Sequence, residues 1–246
     1  MSIKDTLQDI VEHTFKLGNI EIVKVTGTDK DTNLESLAED KTVVVQAQFK
    51  TPVAEFIGVF GMPNLGKLNT LLNLEVYREN AKISVTSKNQ NDSVVLDGIH
   101  FENKDSDFKN DYRFMSTALV NDKLKKVTFK EPTWDLEFEP TIAGIQRLKM
   151  QAQANSEEPL FTAKSENNDL MFYFGDHSTH AGNFVFHPSA VGNKLTRAWS
   201  FPVKQVISIL DLVGDKKIHF SSQGAAMITV DSGIAVYKYI LPAQTK

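Results

Sequence analysis

The chain has 246 residues, 27 basic and 31 acidic side chains for a net charge of −4, 41% apolar residues and no cysteine. That length allows one large domain or two of about 120 residues, and the missing cysteine excludes disulfides, thiolate metal sites and a cysteine nucleophile. No apolar run reaches the roughly 18 residues of a membrane-spanning helix, and an acidic chain argues against a simple basic nucleic-acid coat. The N-terminus, MSIKDTLQDIVEH, is charged and amphipathic rather than signal-like, and the absence of cysteine favours an intracellular protein.

Apolar periodicity predicts four helices among many strands. The first helix runs from Ile3 to Leu17, with Ile3, Leu7, Ile10, Val11 and Thr14 on its inner face and Asp5, Asp9, Glu12 and Lys16 outside. Gly18 stands where a helix C-terminus favours glycine. Strands are predicted at IEIVKV (20–25), TVVVQAQF (42–49) and AEFIGVF (54–60), with TDKDTN as a turn. The second helix runs from Pro63 to about Leu74, with Leu65, Leu68, Leu71 and Leu72 inward. The strands KISVTS, SVVLDGIHF and YRFMSTALV follow, and NDKLKKVTFKEPT (120–132) is a charged, aperiodic linker.

The order then repeats. WDLEF is a strand, and Thr141 to about Asn155 is a helix with Ile145, Leu148 and Ala152 inward. PLFTAK, DLMFYF, NFVFH and KLTRAWSF are strands, and Pro202 to Val213 is a helix with Val203, Val206, Ile207 and Leu210 inward. KKIHFSS, GAAMITV and GIAVYKYILPA close the chain. Pro63 and Pro202 suit a first helical turn, where no backbone N–H is needed. The pattern implies two similar α+β domains, 1–119 and 133–246, each with two helices packed on antiparallel sheet, joined by a connector at 120–132. The halves share a plan, not obvious residue identity.

Gly61, Gly66 and Lys67 in GMPNLGKL have the G-x-x-x-x-G-K spacing of a phosphate-cradling loop. Three features oppose that chemistry. Leu68 stands where a magnesium-binding hydroxyl belongs, Pro63 removes a backbone donor, and the strands come in consecutive runs rather than alternating with helices. His177, His180 and His187 in GDHSTHAGNFVFH have no third ligand at a forcing distance, so a turn is the plainer reading and no metal is expected. The aromatic strands DLMFYF and NFVFH suit core packing better than base stacking. No catalytic residues and no cofactor are identified.

The repeated helix–strands–helix–strands plan resembles the DNA sliding clamps, the PCNA-like polymerase processivity factors. FIGVFGMPNLGKLNTLLNLEVYRENAKISV is similar to the second-helix region of clamps from T-even-type bacteriophages, and DLVGDKKIHFSSQGAAMITVDSGIAVYKYILPA to their C-terminal meander. The ending KYILPA resembles the KYYLAP-type ending of PCNA. The resemblance implies a non-catalytic homotrimeric ring that encircles duplex DNA without sequence preference, tethers the polymerase through its C-terminal peptide, and is opened by a clamp-loader ATPase. It also implies a viral protein in the cytoplasm of the infected host cell, with no membrane association.

Charge fits that picture in sign. The four predicted helices together carry +2 within a chain of −4, although the first is net negative. The DNA-facing candidates are Lys16, Lys67, Arg147, Lys149 and Lys204. The resemblance puts the partner-peptide pocket at Ile240, Leu241 and Pro242, beside a connector somewhere within Leu119–Phe129, where Lys123, Lys125 and Lys126 are basic. The subunit contact is expected edge to edge, YRFMSTA against GNFVFH, through Tyr112, Phe114, Phe184 and Phe186. The alternatives left open are a β-rich structural or assembly protein of a virion and a nucleotide-dependent enzyme using the Gly61–Lys67 loop.

Overall fold

The structure, a computed structural model, describes residues 2–90, 93–124, 131–176, 180–188 and 194–244. The chain divides into two compact units, Met1–Thr128 with Ser232–Tyr237 and Phe129–Asp231 with Lys238–Lys246.

In the first unit, helix α1 is Ile3–His13. Ser2 caps it: its hydroxyl accepts from the Asp5 N–H at 3.2 Å, and the Asp5 carboxylate accepts from the Ser2 N–H at 3.0 Å, satisfying two otherwise unpaired donors. The predicted helix reaches Leu17, but the chain leaves helical geometry at Thr14, and a short 3₁₀ turn, Phe15–Leu17, ends at Gly18 with φ 84°. Strands β1 (Ile22–Gly27), β2 (Thr32–Leu37), β3 (Val44–Phe49) and β4 (Gly58–Pro63) pair antiparallel in the order β4-β1-β2-β3. Strand β2 is absent from the sequence reading. Its segment, TNLESL, carries only two large apolar residues, yet Thr32, Leu34 and Ser36 alternate inward.

Helix α2 is Leu65–Asn73, and its leucines Leu65, Leu68, Leu71 and Leu72 are buried as expected. Pro63 is not its first residue; it ends β4, and Asn64 alone links strand to helix in a left-handed conformation. Strands β5 (Lys82–Gln90), β6 (Ser93–Glu102) and β7 (Lys109–Arg113) form an antiparallel three-stranded sheet in that order. The predicted strand YRFMSTALV is split. Its start finishes β7, and its end belongs to helix α3, Thr117–Lys123, whose Val120 is fully buried. Residues 125–130, the middle of the predicted connector, lie outside the described residues.

The second unit holds β8 (Leu136–Phe138), α4 (Ile142–Ala154), β9 (Leu160–Glu166), β10 (Asp169–Phe174), β11 (Gly182–His187), β12 (Trp199–Pro202), α5 (Val203–Leu210), β13 (Asp215–Ser221) and β14 (Ala225–Asp231). Strands β11-β10-β9-β12 form one antiparallel sheet, and β14-β13-β8 pair antiparallel in another. The final strand, β15 (Ala235–Pro242), contributes Ala235–Tyr237 to the first unit and the rest to the second.

Phenylalanines fill the second unit's core. Phe161 and Phe172 lie 4.2 Å apart between ring centroids, Phe172 and Phe186 4.3 Å, and Phe201 and Phe220 5.4 Å. Each buried ring adds about 1.5–3 kcal/mol of transfer free energy. The aromatic alternation of DLMFYF thus makes core, with Leu170, Phe172 and Phe174 inward. Helix α4 begins at Thr141, whose hydroxyl accepts from the Gly144 N–H at 3.0 Å. It lies close on β11 because residue 144 has no side chain: a Cβ there would stand 2.8 Å from the Phe186 carbonyl oxygen.

Candidate nucleic-acid interface

Each unit places one helix against another, α1 on α2 in the first and α4 on α5 in the second. Apolar stripes turn inward, which leaves polar faces in solvent. On α2 the outer face holds Lys67, Thr70 and Asn73, with the Asn73 amide donating to the Asn69 carbonyl at 2.7 Å. On α4 it holds Gln146, Arg147, Lys149, Met150 and Gln153, and on α5 it holds Lys204.

All five candidate DNA-facing cations are exposed, Lys67, Arg147, Lys149 and Lys204 on these helices and Lys16 on the 3₁₀ turn that follows α1. Their surroundings divide them. The Lys16 ammonium is paired with Glu12 one turn earlier, and Lys149 is paired with Asp211 at the end of α5. No carboxylate pairs with Lys67, Arg147 or Lys204 among the described residues. Lys4, the lysine of α1, is half-buried and spent on backbone: its Nζ donates to the Tyr77 and Arg78 carbonyls, both at 2.8 Å.

One acid moves. The helical wheel sets Asp9 on the outer face of α1, but it is buried, accepting from the Tyr237 hydroxyl at 2.7 Å and lying 3.4 Å from His13 Nδ1. The outer face of α1 is therefore less acidic than expected, with Asp5 engaged in the N-terminal cap. That cap holds the Asp5 carboxyl below its ordinary pKa, through the Ser2 backbone N–H first and the Ser2 hydroxyl second.

The C-terminal candidates are mostly internal. Ile240 and Leu241 are buried in the chain itself, and Pro242 alone is exposed. On the edge candidates, β7 and β11 are both outer strands of their sheets. The side chains of Tyr112 and Phe186 nevertheless point into their own unit, while Phe114 and Phe184 are half-buried. The Tyr112 hydroxyl donates to the Pro63 carbonyl, and burial pushes its pKa up. What these edges offer a neighbour is mainly backbone. Lys123 is exposed at the end of α3, whereas Lys125, Lys126 and Phe129 lie outside the described residues.

The glycine-lysine spacing at Gly61–Lys67 builds no cradle. Gly61 is inside β4, exchanging hydrogen bonds with Met115 at 2.9 and 2.8 Å. Among the described residues no group of three or more metal-binding side chains gathers; His177 lies outside them, and the His187 ring stacks on Phe138 at 4.3 Å. Among the described residues no helix is long and apolar enough to cross a membrane.

Sequence reasoning missed Asp211 and Glu12 as partners of two candidate cations, and missed Gly144 as the contact that seats α4. The four-residue spacing of Glu12 and Lys16 was the available signal for Glu12; the Lys149–Asp211 contact depends on how α4 meets α5.

No family model matches the chain, and no curated protein does. Solved structures do. The A. fulgidus PCNA, solved with the C-terminal region of FEN-1 bound, aligns with TM-score 0.69 at 8% identity over 99% of this chain and 96% of that one. The proliferating cellular nuclear antigen of Entamoeba histolytica aligns with TM-score 0.70 at 14% identity over 98% and 96%, and the PCNA of Thermococcus kodakaraensis with 0.66 at 9% over 99% and 98%. The chain has the PCNA-like fold from end to end.

Proposed function

We propose that the chain is a DNA sliding clamp: a non-catalytic ring that encircles duplex DNA and tethers a replicative polymerase. The observation that carries this reading is the likeness to PCNA over 98% or more of the chain and 96% or more of each PCNA chain. Exposed, uncompensated cations on α2, α4 and α5 agree with it, since sequence-blind binding of DNA runs through phosphate contacts.

The finer reading follows the resemblance to T-even-type phage clamps. Three copies form the ring, each built of domains 1–119 and 133–246 about the connector 120–132, with β7 of one copy beside β11 of the next. A loader ATPase opens it in the cytoplasm of an infected host cell. The A. fulgidus PCNA receives the C-terminal region of FEN-1; here the corresponding guest is the C-terminal peptide of the polymerase, near Ile240, Leu241 and Pro242, with Pro242 the member open to solvent.

Analytical ultracentrifugation over a wide concentration range tests the ring. A species three times the 27.5 kDa chain mass, dissociating on dilution, is expected. Retention on circular DNA through gel filtration, lost once the circle is cut, completes the test. A strict monomer at tens of micromolar removes the ring, and a large open assembly supports a virion structural role instead.

A further inference from the structure

This inference rests on the DNA-clamp reading and concerns how the chain sets its grip on phosphate. Two of the five outward cations are held by acids of the same chain, Lys16 by Glu12 and Lys149 by Asp211. Both acids occupy the end of a helix that disfavours them. Glu12 is in the last turn of α1, and Asp211 is the C-cap of α5, where unpaired carbonyls make the local potential negative. Neither is favoured by the dipole of the helix it terminates, and while Glu12 meets Lys16 one turn on, Asp211 reaches a different helix altogether.

The neighbouring charges do not supply the missing reason. Lys216 lies within electrostatic reach of Asp211 and Asp215, but its Nζ is turned onto the Leu212 and Gly214 carbonyls at 2.5 and 2.9 Å. Lys217 is occupied by Glu137 at 2.7 Å. The Lys149–Asp211 pair is exposed on both sides, 44% and 48%, so under the clamp reading it is open to a phosphate backbone.

We infer that Asp211, and Glu12 in the first unit, are built-in counter-ions that trim the charge offered to DNA. Lys67, Arg147 and Lys204 remain as the phosphate-facing cations. A lysine already neutralised by a carboxylate adds no net charge at the DNA surface and so displaces no net condensed cation from the duplex. The effect is a weak hold without sequence preference, which suits movement along the helix.

The test is titration of intact protein into a fluorescein-labelled duplex of arbitrary sequence, followed by anisotropy through a series of salt concentrations. Asp211→Asn should bind more tightly than wild type and steepen the slope of log K against log salt by about 0.9 for each chain engaged. Lys149→Ala with Asp211→Asn should return to wild-type behaviour, because the pair is removed as a neutral unit. Glu12→Gln tests the same logic independently in the first unit, and Lys204→Ala should flatten the slope. An Asp211→Asn protein with wild-type affinity and slope overturns the inference. So does one whose only change is a lower melting temperature, the mark of a strut between α4 and α5. A wild-type chain with no duplex affinity at the lowest salt has no phosphate grip to trim and overturns the inference, whereas a strict monomer in ultracentrifugation removes the clamp reading itself; Lys204→Ala flattening beside an inert Asp211→Asn removes the inference alone.

Discussion

The Tyr237 hydroxyl donates to the Asp9 carboxylate at 2.7 Å, joining residues 228 apart in the chain. Tyr237 is fully buried and Asp9 nearly so, and the His13 ring stacks on Tyr237 with centroids 4.5 Å apart. A segment next to the C-terminus is thereby tied to the first helix inside one unit. Tyr237→Phe keeps the ring stack and removes the donor from a buried carboxylate, so it should destabilise the protein by about 1–3 kcal/mol. A lower urea midpoint at unchanged slope is the expected result. Asp9→Asn, which still accepts that bond, should lose less; a larger loss in Asp9→Asn than in Tyr237→Phe would mean the negative charge, not the hydrogen bond, is what matters.

His187 should give unit 2 a pH dependence. Burial pushes its pKa below the ordinary 6.5, and its buried Nδ1 has no hydrogen-bond partner among the described residues. His219 is lowered as well, by burial first, against an opposing pull from Glu137. A depressed histidine binds fewer protons folded than unfolded, so its stabilising contribution is complete above pH 6.5 and declines as pH falls below it. His187→Phe preserves an aromatic stack on Phe138 and should flatten that decline. Urea midpoints at about pH 7.5 and about pH 5.5 check it; a variant that loses as much as wild type between them refutes the assignment.

The elements legible in the sequence are those whose apolar period is local. DLMFYF was bounded to the residue because Asn167 and Asn168, both at positive φ, make the turn before it and Leu170, Phe172 and Phe174 alternate inward. Strand β2 escaped because TNLESL has little strand propensity of its own and is recruited by β1 and β3 on either side. Helix α3 escaped because MSTALV reads as a continuing strand, while the hollow at Gly61 that receives Val120 belongs to another part of the chain. The candidate site divides the same way. Helical spacing was enough to place Lys204 opposite the buried stripe and Lys67 and Arg147 on its flanks. Asp9 could be moved inside only by Tyr237, and Ile240 and Leu241 only by the packing of β15.

Glu102 should mark the acid limit of the β5-β6-β7 sheet. Its pKa is lowered from 4.5 to about 2, first by the Ser106 hydroxyl, then by Lys109 at 3.1 Å and by His100 at 3.5 Å. A depressed carboxylate stabilises the fold above its unfolded pKa and loses that contribution as pH falls through the folded value. The benefit is therefore present above pH 4.5 and disappears toward pH 2. Glu102→Gln should unfold at lower urea than wild type near neutrality, and the two midpoints should converge as pH drops through that window. Midpoints that stay equally far apart at every pH would assign the difference to packing instead.

The spacing of Gly61 and Lys67 separates a packing role from a nucleotide role. A Cβ at residue 61 would stand 2.8 Å from Val120 Cγ2 and 3.0 Å from Met115 Cβ, so Gly61→Ala overfills the seat of α3 and should cost about 1–3 kcal/mol. Lys67 is exposed, so Lys67→Ala should change stability by less than about 0.5 kcal/mol while flattening the salt slope of duplex binding. If the segment held a nucleotide phosphate, both substitutions would abolish ATP binding regardless of their effects on folding. Calorimetric titration of wild type with Mg-ATP is expected to give no heat of binding. Micromolar affinity there, lost in Lys67→Ala, would return the segment to nucleotide chemistry and remove Lys67 from the DNA surface.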